Sequence, residues 1–340
     1  MSERDAFLRA ICETPDDDTP RLVFADWLQE NGDEPRAEFI RLQIELERMP
    51  DGKKKLKKQG REKEVLDAHR DKWAKPLKPF FADYYGGKYA HFYAPPVAFR
   101  RGFVETIAMD VETFGDRGSE VFSLAPIREL RIQDAQALDE LAGSKNLLRL
   151  HTLNLAGAIL STDGSDAPVL FRSKYLKNLT TLIARGHDDN GHLDTAGLRA
   201  IAGTRHLAKL ERLDISNNWL FGEHVPMREQ TACRKLLWRL GEKMPALREL
   251  RLSGMVLRCG ELIAMTAQPW VSRLRVLDLS GNHLAEHGCR ALCDSKHLTN
   301  LERLDVSENE HSNNESGTFE PLAPATKKML KARFGKRVKL

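Results

Sequence analysis

Three nine-residue stretches of the sequence align without a gap. Leu210, Leu213, Ile215 and Asn218 stand at the same spacing as Leu274, Leu277, Leu279 and Asn282, and as Leu301, Leu304, Val306 and Asn309. An apolar-x-x-apolar-x-apolar-x-x-Asn pattern constrains the fold severely. Period-two alternation describes one short strand with its apolar residues on one side, and recurrence describes stacked copies sharing a core. The closing asparagine can satisfy backbone groups of a neighbouring coil.

Weaker copies precede these three. Leu247, Leu250 and Leu252 keep the spacing with Met255 in the asparagine slot. Leu150, Leu153 and Leu155 lead to Ala158, Leu179, Leu182 and Ala184 to His187, and Ile127, Leu130 and Ile132 to Ala135. Val104, Ile107 and Met109 form a degenerate first copy. The central residues fall at 130, 153, 182, 213, 250, 277 and 304, in steps of 23, 29, 31, 37, 27 and 27. The 37-residue step holds an insertion around Phe221 to Thr231. Between strands the period becomes helical, as in Gly197–Ala202, Gly288–Cys293 and Ala135–Ala142.

The pattern resembles the leucine-rich repeat of ribonuclease-inhibitor type from about Gly102 onward. That resemblance implies an α/β solenoid, with parallel strands on a concave face and helices on the convex one. A small all-α domain precedes it. Ala6, Phe7, Ala10 and Ile11 outline one helix. Asp16 to Asp18 cap a second, with Pro20 in its first turn, that buries Leu22, Val23, Trp27 and Leu28. Asn31 and Gly32 stop it, and Pro35 opens a third through Phe39, Ile40, Leu42 and Leu46. The stretch from Thr14 to Leu28, with Gly32 to Gln43, is similar to the repeat-companion domain found before such repeats in planctomycete proteins. Arg101 to Glu105 and the ending Arg333 to Val338 also resemble those proteins. The family implies no enzyme activity. The expected organisation is residues 1–50 as helical companion, 51–101 as a basic and aromatic helical connector, and 102–340 as solenoid with a C-terminal cap.

Composition narrows the rest. Basic and acidic side chains number 53 and 49, for a formal charge of +4, which names no polyanionic partner. Residues 1–50 hold 13 acidic and 6 basic side chains. There is no secretory leader pattern, and no apolar run approaches the roughly 18 residues of a membrane span. Five scattered cysteines suit reduced thiols. A cytoplasmic, bacterial, monomeric protein is the expectation, without a membrane association.

The candidate sites are few. Lys53 to Lys58 with Arg61 form a basic run, followed by Tyr84, Tyr85, Tyr89, Phe92 and Tyr93. The tail from Lys327 to Leu340 has seven basic residues and no acidic one. Read plainly, the first is the polar face of a helix continuing to Leu66 and Trp73, and the second a terminal cap packing Met329, Leu330 and Phe334. His283, His287, Cys289 and Cys293 come nearest to a metal cluster, but Cys289 occupies a small apolar slot of a repeat helix. No phosphate loop, nucleophile elbow or zinc-protease motif is present, so no catalytic residue, cofactor or metal is expected. The residues flanking the central leucines face the concave surface. A protein partner is expected there, on Arg131, Asn154, Arg185, Arg212, Asp214, Glu249, Arg251, Asp278, Arg303 and Asp305. The alternative is a nucleic-acid-associated protein using the Lys53–Arg61 run and the basic tail.

Overall fold

The computed structural model describes residues 2–81, 95–133, 138–158, 160, 166–186, 192–218, 220–222, 225–312 and 319–340. Ala135, His187 and the tyrosine-rich stretch from Tyr84 to Tyr93 lie outside them. The chain divides into two compact units, Met1–Arg131 and Ile132–Leu340.

The first unit opens with four helices: α1 (Glu3–Glu13), α2 (Thr19–Glu30), α3 (Glu34–Arg48) and α4 (Lys53–Ala74). A 3-10 turn (Lys75–Phe80), β1 (Val97–Arg100), β2 (Phe103–Met109) and α5 (Val111–Leu124) follow, and β3 (Glu129–Gln133) carries the unit boundary. Ser2 and Asp5 form a capping box at α1. Ile11, Phe24, Ala25, Leu28, Ala37, Ile40, Ile44 and Phe103 make one core cluster.

Helix α2 is rotated from the face its apolar residues suggested. Phe24, Ala25 and Leu28 are buried, whereas Val23 is 48% exposed and Leu22 and Trp27 are half-buried. The cause is Arg21, a fully buried side chain whose Nη2 lies 2.8 Å from Glu105 Oε1 on β2. Arg101 Nη2 donates to the same oxygen at 2.8 Å. Burial raises the Glu105 carboxyl above its ordinary value, and Arg101 and Arg21 oppose that shift. The acidic run Asp16–Asp18 serves this cluster as well as the helix. Asp17 Oδ1 accepts from the Thr19 amide at 2.8 Å, but Asp16 pairs with Arg128, and Asp18 with Arg48 and Arg101. Helix capping alone does not account for the run.

Arg101 and Gly102 link antiparallel β1 and β2 with φ of 48° and 85°. Two successive left-handed residues describe the tight hairpin turn that matches strand twist. Gly102 is required twice over, because a Cβ there would stand 2.3 Å from Ile40 Cγ1, and its N–H donates to Gln43 Oε1 at 2.8 Å. Helix α3 thus reads the hairpin directly.

The second unit alternates α6 (Leu138–Ala142), β4 (Thr152–Gly157), α7 (Asp166–Phe171), β5 (Thr181–Ile183), α8 (Thr195–Gly203), β6 (Arg212–Asp214), α9 (Met227–Arg239), β7 (Glu249–Arg251), α10 (Cys259–Thr266), β8 (Val276–Asp278), α11 (Glu286–Asp294) and β9 (Arg303–Asp305). A hairpin of β10 (Glu310–Ser312) and β11 (Phe319–Pro321), then α12 (Pro324–Phe334) and β12 (Val338–Lys339), complete it. Strands β4 to β9 pair in parallel in chain order, β12 adds parallel to β9, and successive helices pack side by side. The unit is an α/β solenoid. Leu153, Leu182, Leu213, Leu250, Leu277 and Leu304 align through it at 0% exposure. Each contributes about 2 kcal/mol of apolar burial.

Asparagines close the coils. Asn282 Nδ2 donates to the Leu252 and Leu279 carbonyls at 2.8 and 3.0 Å, and its Oδ1 accepts from the Met255 and Leu257 amides, both at 3.0 Å. Asn218 and Asn309 repeat the arrangement two coils before and one after. Each therefore holds the coil preceding its own. At the C-terminal end Leu330 and Phe334 are buried and Met329 half-buried, and the Val306 amide donates to the Lys339 carbonyl at 3.0 Å.

Candidate partner-binding face

On strands whose central leucine points inward, the two flanking residues point outward. Register alignment makes rows of them. One row is Thr152, Thr181, Arg212, Glu249, Val276 and Arg303, and the next is Asn154, Ile183, Asp214, Arg251, Asp278 and Asp305, continued by Lys339. The structure therefore brings Asn154, Arg212, Asp214, Glu249, Arg251, Asp278, Arg303 and Asp305 onto one sheet face. Arg185 joins them by reaching Asp214. Arg131 lies in the first unit, where its Nε donates to Glu129 Oε1 at 2.8 Å.

Much of this charge is already answered within the face. Arg185 Nε and Nη2 donate to Asp214 Oδ2 at 2.8 and 2.6 Å. Asp214 is fully buried, so what it presents outward is the Arg185 guanidinium, whose side chain is 42% exposed. The hydrogen bond to Asp214 pushes the Arg185 pKa further up, against its partial burial. Arg251 Nε donates to Glu249 Oε1 at 2.6 Å. Arg212 Nε stands 3.3 Å from the same oxygen without making a hydrogen bond. The ion pair is thus shared unequally, and Arg212 is the looser partner.

The aspartates are hooked to their own turns. Oδ1 of Asp214, Asp278 and Asp305 accepts from the amide two residues on, that of Ser216, Ser280 and Ser307, at 3.2, 3.1 and 3.0 Å. Asn154 does the same with the Ala156 amide at 3.0 Å. Asx turns of this kind fix side-chain direction. The recurring Asp-x-Ser was the sequence signal for it. At the last strand, Lys339 Nζ donates to Asp305 Oδ2 at 2.9 Å. Burial raises the Asp305 carboxyl, but Ser307 and Lys339 outweigh it and leave it below its ordinary value. Among the described residues, Asp278 and Arg303 have no ion-pair partner, and Arg303 is exposed.

The strand repeat, the inward leucines and the asparagine closures already specify the fold. The sequence matches the Leucine Rich Repeat family over residues 273–294, the stretch that runs from Leu274 through Asn282 into α11. That match covers one repeat of the Ile132–Leu340 solenoid. No curated protein matches the chain. Among solved structures, a Bacteroides fragilis protein is similar at 16% identity and a TM-score of 0.47, the match covering 69% of this chain and 65% of that one. An internalin, inlF of Listeria monocytogenes, is similar at 16% identity and a TM-score of 0.32, covering 56% of this chain and 51% of that one. TLR13, in its complex with ssRNA13, is similar at 14% identity and a TM-score of 0.25, covering 61% and 38%. The chain spans less than two thirds of each of these three.

The remaining candidates fall elsewhere. Cys289 is fully buried in the repeat core, and burial, then the neighbouring Cys259 and Cys293, push its thiol up to about 12. The basic run forms the first turns of α4, where Lys55 pairs with Asp51, Lys58 with Glu45, and Arg61 with Glu38 and Glu64.

Proposed function

We propose that this chain is a non-catalytic scaffold whose leucine-rich-repeat unit binds a protein partner through the concave strand face. The observation that carries the proposal is the side-chain order of that face. Its charges are of both signs, aligned strand by strand and fixed by ion pairs and Asx turns. Such a surface is preorganised, so a partner need not order it, and its mixed signs complement another protein better than a uniform phosphate backbone. Arg303, Asp278 and Arg212, the least committed charges, are the proposed contact centre. The helices of residues 1–50 act in this reading as a companion domain, and the whole works as a cytoplasmic monomer.

Nucleic-acid association is the weaker reading. Half of its basic run is engaged by carboxylates, and its tail is spent on the cap, where Lys339 holds Asp305 and Arg337 Nη1 donates to the Leu301 carbonyl at 3.1 Å. The test is capture of partners from native extract, nuclease-treated and at moderate salt, by the chain and by an Asp278→Arg/Arg303→Glu variant. Loss of a discrete protein from the variant, with its circular dichroism unchanged, is expected. An identical partner set from both would reject the face.

A further inference from the structure

A second surface lies wholly within the N-terminal unit. The C-terminal half of α3 and the first turn of α4 enclose an open groove of about 800 Å3, with Leu22 of α2 as its third wall. Leu22, Ile44, Met49 and Pro50 supply its apolar lining. Of the cations in its lining, Arg41 and Arg48 are answered by Asp26 and Asp18 and Lys55 by Asp51, which leaves Lys53 and Lys54 unanswered among the described residues. This surplus of positive charge stands in a segment that is otherwise acidic.

The start of α4 sharpens that surplus. Gly52 is its N-cap, so no side chain accepts the first-turn amides, and the first turn holds lysines and no acidic residue. Cations at a helix N-terminus oppose the macrodipole, so this placement costs the isolated helix stability. Lys55 is answered by Asp51 at 2.9 Å, but among the described residues Lys53 and Lys54 have no carboxylate partner. The uncapped amides and both ammonium groups therefore share one unanswered positive field beside a recessed apolar lining.

We propose that this groove docks a short acidic peptide segment of a partner protein, with apolar anchors on Ile44, Met49 and Leu22 and carboxylates on Lys53 and Lys54. A nucleic-acid strand would use the cations and leave the apolar lining empty, and a flat bilayer would not reach a recessed lining. The groove belongs to a different unit from the strand face, so either can fail without the other.

The test is fluorescence anisotropy of the full chain with a fluorescein-labelled peptide of glutamates interspersed with leucine and phenylalanine. Saturable binding is expected, weakened at least tenfold by Lys53→Glu/Lys54→Glu and several-fold by Met49→Asp. Lys53 and Lys54 are exposed, so the charge-reversal pair should leave helicity unchanged, which circular dichroism checks. A matched peptide with serine in place of leucine and phenylalanine should bind at least tenfold more weakly. Equal binding of the serine peptide, no binding of either, or readier displacement by oligouridylate or anionic phosphatidylserine vesicles than by unlabelled peptide would each overturn the proposal.

Discussion

At the scale of single residues, the repeat rests on a few backbone demands. Asn282, itself buried, answers the Leu252 and Leu279 carbonyls and two amides, so Asn282→Ala leaves several groups unpaired at once. Each unmade bond costs about 1–3 kcal/mol, some of it recovered by relaxation, and a net loss of about 3 kcal/mol in urea unfolding is expected. A second demand falls at the turns after β6 to β9. Asn217, Gly254, Gly281 and Glu308 all adopt left-handed φ, near 60°. Glycine or asparagine suits that position, whereas glutamate there carries about 1–2 kcal/mol of strain. Glu308→Gly relieves the strain and returns up to about 1 kcal/mol of unfolded-chain entropy. A net gain of about 0.5 kcal/mol in thermal unfolding is predicted. The opposite is expected of Gly254→Ala, whose Cβ would meet Asn217 Oδ1 at 2.4 Å.

At the scale of elements, burial of charge decides how helices and strands are held. Arg21 anchors α2 on β2 through Glu105, which is itself almost wholly buried. Arg21→Ala removes one of the two cations that hold that carboxylate, and a loss of about 3–5 kcal/mol in chemical denaturation is predicted. A gentler test concerns β12. Asp305 titrates below the ordinary aspartate value of 3.8 and Lys339 above the ordinary lysine value of 10.5. The depressed carboxyl stabilises the docked strand at pH above 3.8, an effect lost as pH falls through its folded value. The raised ammonium stabilises it below 10.5, an effect lost as pH rises through its own. Lys339→Met should therefore speed exchange of the Val306 amide at neutral pH, while acidification through the folded Asp305 value should narrow the difference from the parent.

The same elements show what was legible in the sequence. The strands of the repeat could be read because leucine at period two has one meaning when it recurs, and the register places Leu153 through Leu304 in one line. The asparagine closures were equally plain, since the side chain carries both a donor and an acceptor. Helix α2 was misread because arginine is ordinarily a surface residue. Nothing local to Arg21 announces Glu105, 84 positions away. Asp214 was read as a surface carboxylate for a related reason: the Arg185 that covers it sits two positions past the equivalent aspartate slot of its own strand. Pairings made between coils are invisible to spacing within one.

At the scale of the molecule, the repeat unit combines a rigid strand face with helices packed behind it, and the N-terminal unit carries a separate groove of its own. On the function proposed above, the strand face of Ile132–Leu340 receives a protein partner. The most direct test is hydrogen–deuterium exchange of the full chain, alone and bound to a captured partner. Protection concentrated on β6 to β9 and the turns that follow them, strongest around Asp278 and Arg303, is the predicted result. Protection confined to α8 to α11, with β6 to β9 unchanged, would contradict the account.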